Sequence, residues 1–211
     1  MSLPVLHSLA GYGVFRIGAV GHSSSNKLFL LYCILLANLP DFDFLPGVII
    51  GDASFFHRTF SHSLTACFLT ALSGGLLWHL FARMSFLRAT ILSFVSYASH
   101  LMLDLTGVGP KGLQLMWPFS STLYYGPRVD FSIPIHEHAL EKATGLGSFI
   151  AAVLHPEVLQ CFFFELGVLF FAWSLMTVLQ PLPSEKRNLE GHVFARTGVT
   201  AFCLVFCVLL K

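Results

Sequence analysis

Seven side chains that can hold a metal or move a proton lie in or beside apolar runs: His7, Asp41, Asp43, His57, His62, His100 and Asp104. Apart from His7 they fall in LPDFDF (39–44), HRTFSHS (57–63) and SHLMLDLTG (99–107). An ionisable group at membrane depth costs roughly 2.5–3.5 kcal/mol, so it normally faces a partner, a cavity or a metal. Imidazole and carboxylate together suit zinc, with manganese and iron as other candidates. Seven potential ligands exceed what one structural zinc uses, which leaves two arrangements open: two metals, or one metal with a carboxylate base. Either would make a bound water acidic enough to attack at neutral pH, and hydrolysis is the natural reaction class.

Spacing refines each motif. His100 and Asp104 are four residues apart and share one helical face, one turn apart. A buried His–Asp hydrogen bond would use the same spacing. Asp41 and Asp43 bracket Phe42 just after Pro40; an extended DxD puts both carboxylates on one side, where a cation relieves their repulsion. Solvated aspartates at a helix stop are the plainer reading. The spacing of His57 and His62 suits a loop, or a helix entry capped by Ser61 or Ser63. Arg58 offers a forked donor to a carboxylate or phosphate. His7 gains weight only from the company it keeps.

These residues need elements to bring them together. The chain has 211 residues, 55% hydrophobic and 11% charged, with 22 Phe. A soluble domain carries about 25% charged residues. With a mean hydropathy of +0.74, an all-α polytopic membrane bundle is expected, one domain over residues 1–211. The candidate helices are 3–20, 28–39 (extended by 44–50 if the chain continues past Pro40), 64–82, 86–105, 158–180 and 193–210. That makes about five to six. Each spanning helix needs about 20 apolar residues. The first carries His7 and has no basic flank, so it reads as a retained helix and not a signal peptide. If the helices alternate in direction, all the candidate ligands reach one end of the bundle. Lys27, Arg83, Arg88, Lys186 and Arg187 mark the other end as cytoplasmic, against Arg58, Lys111, Arg128 and Lys142.

A net charge of +1 speaks against nucleic acid as a partner. Cys33, Cys67, Cys161, Cys203 and Cys207 sit in apolar runs without CxxC spacing and read as buried thiols. His136 and His138 could form a second pair around Glu137, or be ordinary loop residues. His79 reads as structural, His22, His155 and His192 as interfacial, and Glu165 as a membrane acid that needs a partner. The segment 106–120 is expected to fold over the site: Thr106, Gly107 and Gly109 permit a tight exit, Trp117 and Phe119 suit the interface, and Ser120 and Ser121 offer hydroxyls.

The ordered set of an N-terminal His, LPDxD, HRxxSHS, SHxxxDxxTxxG and WPF resembles the membrane-bound metal-dependent hydrolases of the YdjM-like group, described as LexA-binding and inner-membrane-associated. The resemblance covers roughly residues 1–120 and fades beyond 125. It implies a bacterial or archaeal inner-membrane protein in which His7, Asp41, Asp43, His57, His62, His100 and Asp104 are ligands or catalytic groups. The group is distantly similar to helical zinc-dependent phospholipase C enzymes, which implies phosphoester chemistry.

The expected function is therefore metal-activated hydrolysis of an ester or phosphoester in a lipid-like substrate. Asp43 or Asp41 would be the base, and Arg58 would steady developing charge. The rival is a membrane metal carrier, sensor or regulatory partner without turnover. A carrier would space its polar groups through the membrane depth, whereas here they gather at one end.

Overall fold

The computed structural model describes residues 4–18, 27–52, 55–106, 112–126 and 146–179. In chain order these form α1 (Pro4–Gly18), α2 (Lys27–Asn38), a 3-10 turn (Leu39–Asp43), α3 (Phe44–Ile50), a second 3-10 turn (Phe60–His62), α4 (Leu64–Ala82), α5 (Phe86–Thr106), α6 (Leu146–Val153) and α7 (Pro156–Leu179). Among the described residues there is no strand, only an isolated antiparallel bridge between Leu113 and Tyr124. The expected helix at 193–210, the loop at 181–191, His22, His192 and the pair His136 and His138 lie outside the described residues.

Among the described residues, three stretches are long and apolar enough to cross a bilayer: Lys27–Ile50, Leu64–Ala82 and Phe86–Leu105. A fourth crossing arises if Leu146–Val153 and Val158–Gly167, bent by 55°, act as one span. At 15 residues α1 is shorter than a full crossing. The outer face of α4 leaves Leu69, Leu76, Leu80 and Phe81 exposed, a surface that hydrocarbon covers and water would not.

Of the two courses left open at Pro40, the chain takes the continuation: it passes through the first 3-10 turn and resumes as α3. Proline has no N–H to donate, so the α ladder must loosen there. Asn38 eases the change by donating its side-chain amide to Ile34 O at 2.8 Å. Gly51, with φ 87°, ends α3 in a left-handed conformation that suits glycine. Ser63 caps α4, its hydroxyl accepting from Ala66 N at 3.1 Å.

Helices α1, α2, α4 and α5 form the body. At Gly11 a Cβ would fall 2.6 Å from Cys33 O, so only glycine lets α1 and α2 approach so closely. One end of this body is packed with rings. Phe29 and Trp78 meet edge to face at 5.0 Å beside Val14, Phe15, Cys33 and Leu92. There Tyr32 Oη and Ser93 Oγ lie 2.6 Å apart, and Arg88 donates to Gly18 O at 2.5 Å, holding α5 against the end of α1. His79, as expected, is structural: its Nδ1 lies 3.0 Å from Met84 O. Cys33 and Cys67 are buried free thiols, as the apolar runs imply.

Candidate metal centre

The opposite end of the same helices carries the acids and imidazoles. His7 comes from the first turns of α1, Asp41 and Asp43 from the first 3-10 turn, and His57 and His62 from the approach to α4. His100 and Asp104 come from the last turns of α5. His7, His57, His62, His100, Asp43 and Asp104 are all buried. Asp41 keeps 12% of its side chain exposed.

Four of them bring one ligand atom each to a common point: Asp41, His62, His100 and Asp104 lie with these atoms within 4.8 Å of one another. His62 Nε2 lies 3.2 Å from His100 Nε2, 3.5 Å from Asp104 Oδ2 and 3.8 Å from Asp41 Oδ1. His100 Nε2 lies 3.4 Å from the same Asp41 oxygen and 3.8 Å from Asp104 Oδ2. Ligands about 2.0–2.1 Å from a tetrahedral ion sit roughly 3.3–3.4 Å apart, so these separations suit a divalent metal. His7 joins on the far side, with Nε2 3.6 Å from Asp104 Oδ1 and 3.9 Å from Asp41 Oδ2. Its ring stacks on His100 with centroids 3.8 Å apart.

The outer hydrogen bonds aim the imidazoles inward. His100 Nδ1 donates to Ala37 O at 2.8 Å, which leaves the Nε2 lone pair facing the cluster. His62 Nδ1 lies 3.2 Å from Asp43 Oδ2, with the same effect. Ser61 donates to that carboxylate oxygen at 2.5 Å, and Arg58 N donates to it at 3.2 Å. Asp43 Oδ1 accepts from His57 Nδ1 at 2.9 Å, and the His57 ring stacks on Phe44. Asp43, His57 and His62 form a second group close enough to hold an ion, with His62 shared between the two groups.

The extended DxD reading is corrected here. A 3-10 turn has about three residues per turn, so alternate residues point roughly 120° apart. Asp41 consequently faces Nε2 of His62, and Asp43 faces Nδ1. The two acids clasp one imidazole from either side instead of sharing one face.

Charge fits the same picture. Among the described residues, the cluster gathers three acids, Asp41, Asp43 and Asp104, and one guanidinium, that of Arg58, whose Nε lies 3.8 Å from Asp104 Oδ2. The excess of two negative charges matches a divalent cation. Without one, His62 carries the burden: burial opposes its protonation, but the hydrogen bonds it donates to Asp104, Asp41 and Asp43 outweigh burial and hold its pKa well above the usual histidine value. His57 is shifted the other way, burial outweighing its bond to Asp43. Arg58 sits at φ 62° and is buried, so it belongs to the cluster and not to an interfacial loop.

The family model of the YdjM inner membrane protein matches residues 1–181. The chain belongs to the YdjM inner membrane protein family. The match reaches well past residue 120, so α6 and the whole of α7 lie within the family unit. The inner membrane protein YbcI of Escherichia coli (strain K12) is 36% identical over 97 residues, a stretch of 44% of this chain and 56% of that protein. The chain thus aligns with little more than half the length of that relative. No solved structure matches the chain. Family and apolar spans together make this YdjM-family chain an inner membrane protein.

Several supporting residues escaped the reading of motifs. Tyr97 donates its hydroxyl to Ser61 O at 2.5 Å and fixes the loop that carries His62. Nothing in the local sequence of α5 sets this tyrosine apart. Asn38, a polar residue in an apolar helix just before LPDFD, could have been singled out by the cost of burying its amide. The segment 112–126 packs beside the site, with Leu64 N donating to Leu115 O at 2.9 Å and Trp117 near Phe60. Ser120 Oγ lies 2.9 Å from Thr122 Oγ1, and Ser120 is half-buried. Glu165 finds the partner it needs at the start of α1, accepting from Leu6 N at 3.2 Å.

Proposed function

We propose that this chain is a metal-dependent hydrolase that acts at the membrane interface on an ester or phosphoester of an amphiphilic substrate. The observation that carries the reading is the convergence of Asp41, His62, His100 and Asp104, with both imidazoles held by Nδ1 so that Nε2 faces the centre. Zinc suits this mixed set and its spacing, iron(II) accepts the same two-histidine, one-carboxylate set, and manganese favours more oxygen ligands.

His62, His100 and Asp104 would hold the ion, with Asp41 and His7 completing its surroundings. When bound, the metal supplies Lewis acidity and an acidic water at neutral pH. Asp43 and His57 stand behind His62 and set its orientation, which favours one metal over two. Asp43 already accepts hydrogen bonds from Ser61, Arg58 N and His57, so it is poorly free to take a proton. Asp41 is the better general base: it is the most exposed of the three acids, and its Oδ1 has no hydrogen-bond donor. Arg58 would temper the charge of Asp104 and only through it the charge of the substrate.

The test is elemental analysis of the full chain purified in detergent, with His100→Ala and Asp104→Ala alongside, followed by hydrolysis of phosphoester and lipid substrates. The wild type should carry metal and each variant should lose most of it together with turnover. Unchanged metal content in both variants would sink the assignment. Metal without turnover on any substrate would leave a carrier or sensor instead.

A further inference from the structure

A cavity of about 690 Å³ lies directly beside Asp41, between α2, α3, α6 and α7. It falls within the roughly 300–1,000 Å³ of small-molecule sites. Its walls include Ile34, Leu45, Phe149, Val158 and Phe162, and its polar groups are confined to Ser8, Asn38 and Asp41. Apolar walls hold water poorly, so a space this large needs an apolar occupant.

We propose that the cavity takes one acyl chain of a membrane glycerolipid, with the head group set over Asp41. This rests on the hydrolase reading and names its substrate class. Two observations select this occupant. First, Leu35, Phe42, Leu45 and Phe162 line the cavity and are also exposed at its outer rim, so its wall is continuous with the lipid-facing surface. A chain can therefore enter sideways from the bilayer. Second, the cavity is polar only where it borders the metal cluster. Its polar lining is Asp41 together with Ser8 and Asn38, whose amide nitrogen donates to Ser8 Oγ at 3.1 Å and to Ile34 O at 2.8 Å. A lipid with its acyl chain against the apolar walls and its head group at this end would set its ester bonds beside the metal cluster.

The probe is phosphatidylethanolamine carrying a photoactivatable group in one acyl chain, reconstituted with the full chain in vesicles of unlabelled phospholipid. Labelled peptides are mapped by mass spectrometry, and metal content is measured on the same samples. Label should concentrate on Phe149, Val158 and Phe162, and Val158→Trp should lower it there several-fold with metal content unchanged. Label spread over Leu69, Leu76 and Phe81 of α4 with no preference for the cavity overturns the proposal, and another segment of chain or a partner helix then fills the space. If Val158→Trp loses its metal through misfolding, the wild-type map decides alone. Because metal content is read separately, a failed cavity with metal retained leaves the metal centre standing, whereas absence of metal from the wild type removes the hydrolase reading itself.

Discussion

The two ends of one helical body are closed by opposite chemistries. At one end Phe29, Trp78, Phe15 and Leu92 fill the space between α1, α2, α4 and α5. At the other, the same helices and the turns that join them bury His7, His62, His100, Asp43 and Asp104. The ring-packed end needs nothing from outside, because apolar surfaces fit one another and the lipid. The acid end buries charges whose desolvation is costly unless every one is matched. Stability therefore comes mainly from one end and chemistry from the other, and only the second should answer to metal and pH.

The largest effect that sharpens this contrast lies at the apolar end. Phe29→Ala should destabilise the protein by about 3–5 kcal/mol, as deletion of a buried ring does, while metal per chain in the folded fraction stays unchanged. A thermal melt in detergent with elemental analysis checks both; metal lost in proportion to stability would mean that the two ends are coupled. Next in size, Asp43→Asn should weaken metal binding about 10–100-fold through loss of the group behind His62. Competition with a chelator measures this. A complete loss of metal would instead make Asp43 a direct ligand and restore the two-metal arrangement.

The smallest effect is one of pH. The folded pKa of His62 is raised, so in metal-free protein its contribution to stability is fully present below the ordinary histidine value of about 6.5 and is lost as pH rises through the raised value. Chelator-treated protein should melt earlier as pH is increased from about 6.5, where an unshifted histidine titrates, and added metal should flatten the trend by taking the proton's place. A melt independent of pH in the metal-free state would break the link between His62 and the acids around it.

Much of this was legible in sequence because the energetic penalty for misplaced charge is local. His100 and Asp104 share a face of α5 by spacing alone, and the cap at Ser63 follows from SHS before an apolar run. Pro40 left a stop and a continuation open, and sequence could not choose between them; the span continues through a 3-10 turn, and that turn, not an extended segment, separates Asp41 from Asp43. That Arg58 could serve a carboxylate was legible from its type, but not that the carboxylate is Asp104, 46 residues away on another helix.

Composition and spacing by themselves determined that this chain lies in a membrane and that its acids and imidazoles meet at one end, because hydropathy and helical periodicity act within a segment. Only the tertiary structure decided which atom of each ligand faces inward. That choice depends on Ala37 O behind His100 and Asp43 behind His62, contacts made across 63 and 19 residues of chain. The cavity beside Asp41 has the same origin: no single helix encloses it, and it exists only where α2 and α3 meet α6 and α7.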